Sequence, residues 1–175
     1  GADKAYIVHL HGFRGFISSR FSASQEDWRD HNIFSNEINE IASLKLEFNN
    51  QPEKSFIINE KGRYFYEMKY LDGSNIDFDT IKVLNLMTSF KDVRFEAFLT
   101  DIAESRRDSI INSPYQEKLT LTTKDGKSSV VTTYTMKINA DAFGFIEEDW
   151  DDDPDHKYAY IQNNDELVMI QEFAF

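Results

Sequence analysis

Two alternating runs, EKLTLTT (117–123) and SSVVTTYTMKI (128–138), flank the tetrad Lys124-Asp125-Gly126-Lys127. An Asp-Gly pair between period-two segments is a strong hairpin signal, because the tight turn needs positive φ angles that these residues adopt at low cost. Alternation turns Tyr134, Met136 and Ile138 inward and Thr133, Thr135 and Lys137 outward. The pattern recurs. SFIINEKGRYFYEMKY predicts a hairpin turning at Lys61-Gly62, with Phe56 and Ile58 on one face. KYAYIQ and ELVMIQEFAF surround the polar turn Asn163-Asn164-Asp165, and AYIVHL and FISSRF are joined by HGFRG, where Gly12 and Gly15 supply the turn. Leu44, Leu46 and Phe48 alternate with Lys45 and Glu47, the mark of a half-buried strand. Hairpins in series leave little choice of architecture: a mainly antiparallel sheet.

Helical signals are fewer. Ser22 and Gln25 have capping-box spacing and predict a short helix over 23–30. Asp79 caps TIKVLNLMTSF, whose Val83, Leu84, Met87 and Phe90 form one apolar stripe that reads as core. DVRFEAFL predicts a strand, and TDIAESRRDSI a second helix capped by Thr100 and broken at Asn112, Ser113 and Pro114. The fold class is therefore α+β, a mainly antiparallel sheet built from β-hairpins with two or three helices.

The 175 residues contain 41% apolar and 14% aromatic side chains, enough for a core. A net charge of −12 sets nucleic acid and anionic lipid aside as partners. Without cysteine there is no disulfide, thiolate ligand or catalytic thiol. No apolar run approaches the roughly 18 residues of a membrane span. The chain opens on GADKAYIVHL, a polar tripeptide followed by a strand; Gly1 in place of Met reads as an expression scar, so an anchor before Ala2 lies beyond the reach of this sequence.

The densest charge is FIEEDWDDDPDHKYAY, residues 145–160. Asp149, Asp151 and Asp153 occupy positions 1, 3 and 5 of a calcium-loop spacing, but position 6 is Pro154 where the loop needs Gly, and position 12 is Tyr160 where it needs Glu. The stretch is read as a solvated lead-in to the last hairpin, with a Ca²⁺ site on Asp149, Asp151, Asp153 and Asp155 as the minority alternative. His9 and His11 share a strand face, yet nothing in the sequence places His31 or an acid beside them to complete a zinc site. Phe13, Arg14 and Phe16 at the first hairpin's tip read either as a partner-binding knob or as packing against a neighbouring unit; both make that tip an interface. Arg106-Arg107 reads as a pair neutralising local acid. Nucleophile elbows, zinc-protease motifs and phosphate-cradling glycine loops are lacking, so the chain is expected to be non-enzymatic and without a cofactor.

YIVHLHGFRGFISSRF and YAYIQNNDELVMIQEF align without gaps, pairing Tyr6 with Tyr158 and Phe21 with Phe173. The alignment hints at a tandem repeat, in which residues 2–34 close a preceding unit and 35–175 form one complete α+β unit. HGFRGFIS, DWRDHNIF, PEKSFII, FDTIKVLNLMTSFKDVRFEAFL, RDSII, the Asp-Gly hairpin and DPDHKYAYI, in that order, resemble domain-of-unknown-function family 4340. The resemblance implies tandem αβ units behind an N-terminal membrane helix, in proteins of the Gram-negative cell envelope, with this chain as the C-terminal half. It implies no catalytic residues. It points to a periplasmic or otherwise extracytoplasmic, membrane-tethered interaction module with an unknown protein partner, an ABC-transport component being the associated candidate. A glycan- or Ca²⁺-binding module of the cell surface, using the aromatic-rich sheet, is the alternative.

Overall fold

The computed structural model describes residues 26–137 and 151–172. The chain divides into two compact units, Gly1–Asp30 and His31–Phe175. In the first, the described residues hold a single 3-10 turn, Glu26–Trp28, closed by Arg29 N–H donating to Glu26 O at 3.1 Å. The helix expected over 23–30 is thus only this turn where it is described. His9, His11, Phe13, Arg14 and Phe16, with the first hairpin, lie outside the described residues.

The second unit is an α+β fold dominated by one antiparallel sheet. Its strands are β2 (Ile41–Phe48), β3 (Phe56–Gly62), β4 (Phe65–Tyr70), β6 (Ala97–Phe98), β7 (Glu117–Thr123), β8 (Ser128–Lys137), β9 (Asp152–Ile161) and β10 (Glu166–Gln171), in the order β4-β3-β2-β7-β8-β9-β10-β6. A two-stranded ribbon pairs β1 (Asn32–Phe34) with β5 (Val93–Arg94), and the helices are α1 (Thr80–Ser89) and α2 (Glu104–Ile111). Every pairing is antiparallel, as chained hairpins require.

Register assigns the two faces. Leu44 lies between Ile58 and Leu121, and Leu119 faces Val131, which faces Ile161. This row is buried with Val83 and Met87 of α1 and Phe90 just after it, so the stripe read from the sequence is core. The opposite face carries Tyr134, Tyr158 and Leu167, packed with Ile110 and Ile111 of α2. Arg107 of α2 donates to the Asp165 carbonyl at 3.0 Å and pairs with its carboxylate, which also accepts from Tyr160 Oη at 2.7 Å. The Tyr160 hydroxyl and the Arg107 guanidinium hold the Asp165 carboxyl below the ordinary carboxylate range. Arg107 thus neutralises local acid, as expected, whereas Arg106 donates to Tyr158 Oη at 3.5 Å.

Several expectations are corrected. Thr133, assigned outward, is 3% exposed. Core covers both faces of the sheet at β8, so alternation there no longer separates inside from outside. The second hairpin turns at Arg63-Tyr64 rather than Lys61-Gly62: the register slips between Glu60 and Gly62, and the positive φ of 60° falls on Tyr64. DVRFEAFL is two short strands, because Phe95 N–H turns to His31 O (3.0 Å) and Glu96 N–H to Met169 O (2.8 Å), so the segment serves two sheets. Helix α2 starts after Ala103, whose carbonyl accepts from Arg106 and Arg107 N–H, and has no side-chain cap; Thr100 lies in the turn before it. Strand β9 begins at Asp152, inside the acidic run, instead of at Lys157.

Two local signals that hold, the Asp79 cap and the Asp125-Gly126 turn, lead to measurable outcomes. Asp79 Oδ1 accepts from Ile81 N–H (2.8 Å) and Lys82 N–H (3.3 Å). Asp79→Ala should lower unfolding free energy by about 1 kcal/mol in a urea titration. At the β7–β8 turn, where Gly126 has φ 85°, the Lys127 ammonium, the Thr123 hydroxyl and the Lys127 N–H depress the Asp125 pKa to about 2. A depressed folded-state pKa contributes stability above the unfolded value and loses it as pH falls through the folded one. The stability gap between wild type and Asp125→Asn should therefore be constant above about pH 5 and close as pH falls from about 4 towards 2.

Candidate functional site

Ten residues make α1 about 15 Å long, whereas eight strands span roughly 30 Å. One helix cannot cover that face. Leu46 and Phe56, which face each other across β2 and β3, are only partly buried, whereas Leu119, beside Leu46 on β7, is 6% exposed. The chain leaving α1 at Phe90 forms the other wall as it runs through Asp92–Glu96. The result is a groove of about 620 Å³, floored by Leu44, Leu46, Phe56 and Leu119 and walled by Leu86, Phe90, Val93 and Phe95. Asp92, Arg94, Glu96 and Gln171 form its rim. An apolar concavity with a few polar groups at the edge is the usual form of a binding site. Leu86 also lines a second, smaller cleft of about 300 Å³ with Ile58, Met68 and Phe78.

The rim charges are partly spoken for. Arg94 Nε donates to Asp92 Oδ1 at 2.6 Å. Glu96 Oε2 lies 3.4 Å from His156 Nε2, while His156 Nδ1 lies 3.2 Å from Asp153 Oδ1. Two residues along β7 from Leu119, on the same face, Glu117 begins a polar cleft of about 360 Å³ that also includes Gln116, Lys157 and Glu172. The Lys157 ammonium, with its side chain 13% exposed, is held by Glu117 Oε1 at 3.3 Å and Glu172 Oε1 at 3.0 Å. Thr133 Oγ1, the buried hydroxyl of β8, donates to Glu117 Oε2, and Gln116 Nε2 donates to Thr135 Oγ1 at 2.8 Å. The Thr133 bond fixes the carboxylate that holds the lysine.

The structure gives the acidic run a local task. Asp153 Oδ1 accepts from Asp155 N–H (2.9 Å) and His156 N–H (3.0 Å), folding the extra residues that β9 carries between Asp152 and Lys157 relative to β8. Asp152 pairs with Lys137 at 2.6 Å, and Asp151 and Asp155 are exposed; Asp149 lies outside the described residues. Among the described residues no group of three His, Asp or Glu side chains is placed to hold a metal. Asp153 and Glu96 approach opposite nitrogens of His156, so the ring separates them. His31 is stacked on Phe95 at 4.7 Å between centroids. The tyrosines Tyr134 and Tyr158 are packed beneath α2, and Tyr134 Oη donates to Ile111 O at 3.1 Å.

The sequence reading missed the groove because its residues run from Leu44 to Gln171 and each looks like core alone. Lys157 did leave a signal: it shares strand parity with Ala159 and Ile161, an inward face on which a lysine needs partners. No family model, curated protein or solved structure matches the chain significantly. Among the described residues no helix is long and apolar enough to cross a membrane.

Truncating the lysine tests the polar end. Lys157→Met removes the ammonium shared by Glu117 and Glu172 and should cost about 1–2 kcal/mol, between an exposed and a buried pair. Adding Glu117→Gln should recover part of that loss in equilibrium unfolding.

Proposed function

We propose that this chain is a non-enzymatic protein-interaction module and that the groove beside α1 receives the partner. The partly uncovered apolar pair Leu46 and Phe56, at the floor of a groove beside a helix too short for its sheet, is the observation that carries the reading. Leu86, a wall of the groove, is 38% exposed and offers apolar surface at its edge. Such surface is expensive to leave in water unless something covers it part of the time.

The wider setting rests on the motif resemblance. On that basis we place the domain in the Gram-negative envelope, as the C-terminal unit of a tandem-repeat protein tethered by an N-terminal membrane helix, with an ABC-transport component as candidate partner. The tip residues Phe13, Arg14 and Phe16 would supply a further contact surface in that arrangement.

A random-peptide phage library panned on the immobilised domain tests the groove. Enriched clones should share an apolar anchor, and Leu86→Glu, which charges a wall without emptying the core, should weaken them by about tenfold or more. Failure to enrich any clone, or clones indifferent to Leu86→Glu, would sink the groove as a binding site.

A further inference from the structure

We infer that the groove's occupant is a basic polypeptide segment anchored by an apolar side chain, an inference that rests on the groove being the binding site. Its charge supports this. Around the groove and the separate polar cleft two residues farther along β7 stand the carboxylates of Asp92, Glu96, Glu117 and Glu172, against the cations of Arg94 and Lys157. Arg94 offsets Asp92, and Lys157 offsets one of Glu117 and Glu172, so the four carboxylates exceed the two cations and the balance is negative. Glu96 is 41% exposed at its side chain. Beyond it the chain continues the same sign, since Glu96 meets His156 at the bulge that carries Asp153 and exposed Asp155.

The apolar floor and the acidic end lie on one continuous sheet face, Leu119 and Glu117 being two residues apart on β7. An extended segment with an aliphatic or aromatic anchor, followed by lysine or arginine, meets both. A second copy of this chain is a poor occupant, because two surfaces from a molecule of net charge −12 repel. Charge of this kind acts mainly on partner choice and association rate, with the apolar anchor supplying the affinity.

Three synthetic peptides with the same Phe-Leu anchor and Lys/Arg, Ser/Asn or Glu flanks provide the test, read by fluorescence anisotropy against the full chain. The basic peptide should bind on the order of tenfold tighter than the neutral one, and the acidic peptide weakest. That advantage should shrink as salt rises from about 50 to about 500 mM. Glu96→Lys should weaken the basic peptide several-fold and leave the neutral peptide unchanged, with Glu96→Gln giving a smaller loss in the same direction. A neutral peptide that binds as well as the basic one, or indifference to both Glu96 variants, overturns the charge assignment while the groove stands. If no flank yields binding, or Leu86→Glu leaves binding intact, the groove reading fails as well.

Discussion

An eight-stranded sheet has two faces to cover, and among the described residues two short helices are there to cover them. Helix α1 and the segment after it close most of one face; α2 closes one end of the other. Where both are covered, at β8 and β9, even a threonine is buried. Where neither reaches, the second face presents Lys45, Thr120, Thr122 and Glu67 to solvent, as a wetted antiparallel sheet should. The groove and the smaller cleft at Ile58 and Met68 are where α1 leaves apolar sheet partly open. Core, wet face and candidate site all follow from the same mismatch between sheet width and helix length.

Sheet edges show how the fold closes itself. Strand β4 ends the sheet on one side, and its outer edge is partly occupied by the chain that returns from it: Tyr70 N–H donates to Ser74 O at 2.9 Å and Ile76 N–H to Met68 O at 3.0 Å. On the other side β6 contributes only Ala97 and Phe98, with Glu96 and Leu99 N–H adding bonds to β10 on either side. A returning segment and a very short strand both blunt the hydrogen-bonding edge that would otherwise recruit another chain. Edge pairing is thus blunted on both sides of the described sheet.

Hairpins were legible because both strand period and turn chemistry are local. The Asp79 cap and the α1 stripe were legible for the same reason. Failures came where a residue answers to two neighbours. DVRFEAFL reads as one strand until the ribbon and the main sheet each claim a part of it. Lys61-Gly62 is the better turn sequence, yet the pairing of Glu60 with Tyr66 and Gly62 with Phe65 moves the turn to Tyr64. Thr133 followed its period correctly, but the period cannot report that a second layer lies on the other side.

The acidic run shows how far composition misleads about task. Read as a string it suggests calcium or an idle linker, and both readings treat its carboxylates alike. In the fold they diverge: Asp152 answers Lys137 across the sheet, Asp153 spends one oxygen on two backbone N–H groups, and Asp155 faces solvent. Asp153, with its side chain 9% exposed, is the one that shapes structure, because without its bonds the extra residues of β9 have no local closure. That closure sets His156 against Glu96 at the rim of the groove. The charge of the run therefore matters to the candidate site through where the bulge places it, a property of register between β8 and β9 that no count of aspartates contains.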